Sequence, residues 1–138
     1  MKNKILSTQS LNAEIASLLL RLIFGGLFIY HGYDALAHYH TYLPISQDII
    51  GIGAKLSFNL VIFAQFFCGI LVTIGFLTRI SVIPIFITMT VAFFIAHAKD
   101  IFFAKELPFL YLLLSLVIFI SGSGRFSLDA LIFRKKTE

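Results

Sequence analysis

Four apolar stretches dominate the chain: Ile15 to Tyr33, Phe58 to Leu77, Ile80 to Ala98 and about Ala104 to Ser121, with charged residues gathered between them. Each approaches the roughly 20 apolar residues that an α-helix, rising about 1.5 Å per residue, needs to cross a bilayer core. The second and third are joined only by Thr78 and Arg79, and the third and fourth by residues 99–103. Connections this short force antiparallel neighbours. The pattern therefore predicts an all-α membrane protein, a four-transmembrane-helix antiparallel bundle forming one domain over residues 1–138. Pro108 is expected near the start of the fourth helix and Pro84 in the opening of the third, where a missing N–H costs least; Gly122 and Gly124 are expected to end the fourth.

The outer loop, Asp34 to Ser57, is the longest connection. Ile45, Ile49, Ile52 and Leu56 recur in it at helical spacing, interrupted by Gly51 and Gly53. That spacing predicts an interfacial or re-entrant half-helix.

Composition agrees with a bilayer as solvent. An apolar content of 59%, 16 Phe and a mean hydropathy of +0.94 leave too little polar surface to wrap a soluble core. The basic residues lie between apolar runs and not along one exposed face, so nucleic acid is not expected as a partner. Lys2, Lys4, Arg21, Arg79, Arg125, Arg134, Lys135 and Lys136 fall on one side of the alternating topology, against Lys55, Lys99 and Lys105 on the other. The positive-inside rule then places both termini in the cytoplasm. The first apolar run carries Arg21 and has no small-x-small cleavage site after it, so it is expected to be a retained helix. Cys68 is the only cysteine, which excludes an intramolecular disulfide and a Cys-x-x-Cys redox pair.

Within the helices, Arg21, Gly25, Phe28 and Gly32 form one stripe, with small residues that let a neighbouring backbone come close. Arg21 then faces protein, with snorkelling to lipid phosphates as the alternative. Gln65, Gly69 and Val72 share a face of the second helix, and Phe86, Thr90, Phe93 and His97 share one of the third. Alternating chain direction brings His31 and His97 to similar depth on the outer side, with Asp34, Gln65 and Glu106 in reach. His31, Gln65 and His97 are thus candidates to hydrogen-bond a quinone carbonyl or exchange protons, and plain interhelical hydrogen bonding is the competing reading. No His-x-x-x-His or Glu-x-x-His pattern occurs in the helices, so no metal site is expected. In the closing run Ser121 to Asp129, Ser127 can N-cap a short helix and Asp129 can reach Arg125 or Arg21. Arg21, Arg125, Ser127 and Asp129 are expected to form a structural clamp at the cytoplasmic face.

The ordered set Arg21-Leu22-Ile23-Phe24-Gly25 with His31-Gly32, Gly69 to Leu71, Gly75-Phe76-Leu77-Thr78-Arg79, Ala92 to His97 and Gly122 to Asp129 resembles the DoxX family of small four-helix bacterial inner-membrane proteins. Where that family usually carries a Lys after the His-Gly and a Glu early in helix two, this chain has Asp34 or Ala35 and Gln65, which removes a buried charge pair. The resemblance implies an accessory subunit of a membrane oxidoreductase or quinone-linked complex, with a redox partner protein and no catalysis by this chain alone. A non-catalytic scaffold using Arg79, Arg125 and the basic tail 134–136 is the alternative. Small-solute transport ranks third, because the helix centres are apolar and four helices would need to form a homo-oligomer to build a pathway.

Overall fold

The computed structural model describes residues 7–134; Lys2, Lys4, Lys135 and Lys136 lie outside them. Four long helices, α1 (Ala13–Ala37), α3 (Ala54–Ile74), α4 (Thr78–Ala96) and α5 (Phe102–Ser121), are each long and apolar enough to cross a membrane. Among the described residues two short α-helices join them: α2 (Tyr39–Tyr42) between α1 and α3, and α6 (Leu128–Phe133) after α5. The protein is an all-helical, multi-pass membrane protein.

Each long helix starts ahead of its apolar run, while α3 and α4 end short of theirs, because capping groups and glycines as well as hydropathy set the ends. The Asn12 side-chain oxygen accepts from the backbone N–H groups of Glu14 and Ile15 at 3.1 Å each, so α1 starts at Ala13. Gly53 (φ +100°) opens α3 ahead of its apolar run, and Gly75 (φ +72°) ends it in the left-handed conformation that favours glycine. Gly122 (φ +71°) follows α5.

Each long helix packs on the next, and α5 returns to α1. The core joins Phe24 and Phe28 of α1, Cys68 and Val72 of α3, Val82, Ile85 and Met89 of α4, and Tyr111, Leu112 and Ile118 of α5. The expected α1 stripe is buried together with Phe24. It meets α3 through glycine: an added Cβ at Gly32 would lie 2.5 Å from the Phe66 nitrogen, and one at Gly69 would lie 3.2 Å from the Ile29 nitrogen. Close backbone approach of this kind supplies dispersion contacts, which must hold helices together where lipid tails are as apolar as leucine.

Three sequence expectations give way. The buried face of α4 is Ser81, Val82, Ile85 and Met89, while Phe86, Thr90, Phe93 and His97 are half-buried. Phe86 and Thr90 each follow a core residue by one position, about 100° around a helix. Pro84 and Pro108 lie inside their helices, because α4 begins at Thr78 and α5 at Phe102; within a bundle, neighbouring groups offset the lost backbone bond. Ile45 to Leu56 is no half-helix. A 3₁₀ turn (Leu43–Ile45) follows α2, residues 46–53 are irregular, and Leu56 belongs to α3; positive φ at both Gly51 and Gly53 interrupts helical geometry.

Two helices also change winding. Phe63–Phe67 in α3 and Ala92–Ala96 at the end of α4 are π-helical. Such turns are rare and often sit at functional sites.

Candidate functional site

At one end of the bundle, Arg21 is 1% exposed. Its guanidinium donates to the carbonyls of Thr73 (3.1 Å) and Val72 (3.4 Å) at the end of α3, and to Phe126. It therefore neither snorkels nor ion-pairs with Asp129. The charge is met by the negative end of the α3 dipole and by orphan carbonyls. Gly75 makes room for it, since a Cβ there would lie 2.5 Å from both Arg21 Nη1 and Ser127 Cβ.

Asp129 works on the next helix. Its carboxylate accepts from the N–H groups of Leu77 (2.8 Å) and Thr78 (3.3 Å), capping α4, while its own N–H donates to Gly75 O at 2.9 Å. Leu77, at φ +45°, is held in a conformation that leucine rarely adopts. The Ser127 hydroxyl accepts from Ala130 N–H and caps α6. Arg125 enters through its backbone N–H, which donates to Glu14, and its side chain is exposed. Arg79 donates from Nε to Phe119 O at 3.0 Å, at the end of α5. Arg21, Ser127 and Asp129, with the Arg125 backbone, thus tie four helix ends into one knot. Sequence reading missed Glu14 and the capping role of Arg79, and it noted Gly75 as part of a motif without the room it makes for Arg21.

Gln65 lines a cavity of about 240 Å³ between α3 and α4, over which Ile49 and Ile50 of the long loop fold. Its walls are aliphatic apart from Gln65, Ser57 and Thr88. Thr88 is spent on Pro84 O at 2.8 Å. The Ser57 hydroxyl, by contrast, is buried with no hydrogen-bond partner. Gln65 belongs to one π turn, and Ala92 and Ala96, also lining the cavity, belong to the other. A wider turn shifts the side chains after it around the helix axis, so both helices change register beside the same space. No composition signal marks a π turn, and Ser57 lay in a stretch read as loop.

The two candidate histidines do not line this cavity. His31 precedes Gly32, which packs on Phe66, so it shares the depth of Gln65; it is exposed on the outside of the bundle, edge-on to Tyr30. His97 directly follows the cavity-lining Ala96, and its Nδ1 lies 2.6 Å from the Asp100 carboxylate. On the long loop, Tyr42 donates to Asp34 at 3.1 Å, and His38 lies 3.1 Å from the other oxygen of that carboxylate. The Asp34 charge and bond hold the Tyr42 hydroxyl above the ordinary tyrosine range. Among the described residues no three His, Cys, Asp or Glu side chains gather as a metal site would require.

No curated protein and no solved structure matches the chain. A family model described as DoxX matches residues 16–98, well over half of the sequence, spanning α1, α3 and α4 with the Gln65 cavity and leaving the closing Gly122 to Asp129 run beyond it. A multi-pass helical protein with that match belongs to the DoxX family.

Proposed function

We propose that this DoxX protein is an accessory integral-membrane subunit of a quinone-linked oxidoreductase, with the cavity between α3 and α4 receiving the quinone ring. The observation that carries the reading is the buried, unpartnered Ser57 hydroxyl in a cavity that Gln65 also lines and that is aliphatic but for Thr88. A buried hydroxyl without a partner costs about 1–3 kcal/mol, and a ligand acceptor removes that cost. Ser57 O–H and the Gln65 amide N–H are both donors suited to a quinone carbonyl. Pockets that enclose whole ligands start near ~300 Å³, so the cavity holds a ring while an isoprenoid tail lies in lipid.

His97, paired with Asp100 next to the cavity wall, exchanges protons at its mouth. His31 serves from the outside of the bundle or only packs there. Electrons on this reading come from a partner protein. On this reading the protein resides in a bacterial inner membrane with both termini cytoplasmic. The scaffold alternative keeps an exposed Arg125 but finds Arg79 engaged at the end of α5.

The test is cross-linking in intact membranes, followed by tagged purification, visible absorption spectroscopy and mass spectrometry. Enrichment of a flavin, haem or iron–sulfur protein over a control membrane protein is expected. Enrichment of no redox protein would overturn the assignment.

A further inference from the structure

The seam between α4 and α5 carries two adjoining cavities at the knot end, away from the Gln65 cavity. The outer one, about 410 Å³, is lined by Arg79, Ser121, Ser123 and Asp129 among others. The inner one, about 240 Å³, is wholly apolar and bounded by Val82, Ile83, Phe86, Leu116 and Phe119, with Ser115 turned onto its own helix at Leu112 O. Arg79 of the outer cavity precedes Val82 and Ile83 of the inner one by three and four residues on one helical face, and Gly122 of the outer cavity follows Phe119 of the inner one by three, so the apolar cleft lies next to the polar one along both helices. From Arg79 to Phe86 the seam runs about 10 Å at 1.5 Å per residue.

We infer that this seam binds one phospholipid whose headgroup carries both a phosphate and an ammonium, as phosphatidylethanolamine does. The outer cavity holds one cation and one anion. Arg79 commits Nε and Nη2 to the Phe119 and Ile120 carbonyls, which leaves the rest of a five-donor guanidinium for phosphate. Ser123 lines the same cavity, as does Ser121, whose hydroxyl donates to Ile118 O at 3.3 Å and keeps its acceptor sites free. Asp129 accepts from the Leu77 and Thr78 N–H groups and, at 3.5 Å, from the Thr78 hydroxyl, and a carboxylate with about four lone-pair sites keeps one for an ammonium. One acyl chain then fills the cleft between α4 and α5. The site is independent of the proposed quinone cavity.

Native mass spectrometry of the full-length protein in mild detergent, with equimolar phosphatidylethanolamine and phosphatidylglycerol, tests this. Phosphatidylethanolamine should be retained over phosphatidylglycerol by about fivefold, the equivalent of ~1 kcal/mol for one charge at a membrane surface. Arg79→Gln should lower its retention by a similar factor. Ile83→Trp fills the cleft from a residue that is 43% exposed, leaves the core untouched and should abolish the preference; it decides the matter if the Arg79 variant does not fold. Equal retention of the two lipids, or unchanged retention in Ile83→Trp, would overturn the site.

Discussion

Replacing Gly32 by alanine puts a methyl group 2.5, 2.6 and 2.7 Å from the Phe66 nitrogen, Cβ and Cα. Carbon contacts settle at about 3.5–4.0 Å, so the methyl falls short of a comfortable distance by about 1 Å. Two of the three atoms are backbone, and no side-chain rotation removes the clash. α1 and α3 must part at this level, at the typical overpacking cost of about 1–3 kcal/mol. Alanine returns about 0.5–1 kcal/mol of helix preference over glycine, leaving a net loss near 1–2 kcal/mol. Gly26 supplies the control in the same helix, since nothing lies within 4 Å of a Cβ there. Gly26→Ala should therefore be neutral or stabilising. Reversible unfolding in mixed micelles, followed by far-ultraviolet circular dichroism, compares the two. Equal stability of the variants, or a less stable Gly26→Ala, would refute glycine-mediated contact between α1 and α3.

Arg21→Met removes the donor for three carbonyls and should destabilise by about 3 kcal/mol or more, in the range for breaking a buried polar network, read in the same unfolding assay. Asp129→Ala uncaps α4 while Leu77 remains in its unfavourable conformation; a loss of about 1–3 kcal/mol is expected for bonds to a charged acceptor, with Asp129→Asn intermediate. The Tyr42 hydroxyl titrates above the ordinary tyrosine value because of Asp34. A folded value raised above the unfolded one means that this stability is fully present below pH ~10 and is lost as pH rises through the folded value. Ultraviolet titration of Tyr42 should move down in Asp34→Asn; an unchanged midpoint contradicts the pairing.

The bundle was legible because membrane helices announce themselves by length and apolarity, and because a two-residue gap at Thr78–Arg79 leaves only an antiparallel return. The buried α1 stripe followed from the spacing of Arg21, Gly25, Phe28 and Gly32. The face of α4 did not, since Phe86 and Thr90 are as apolar or small as the Ile85 and Met89 that are buried, and amphipathicity is weak when both core and lipid are apolar. The closing run was expected to form a clamp in which Asp129 reaches Arg125 or Arg21; its wiring was not legible, because backbone donors at the start of α4 take the carboxylate. The Gln65 cavity depends on two π turns and on Ser57, features with no signature in composition or period.

The most direct measurement of the proposed role is the quinone content of protein purified in mild detergent, wild type beside Gln65→Leu and Ser57→Ala. Retained quinone in the wild type, reduced by about fivefold or more in each variant for loss of one hydrogen bond of ~1 kcal/mol, is the predicted result. Ordinary phospholipid alone in the wild type, or quinone equally retained by all three proteins, would contradict it.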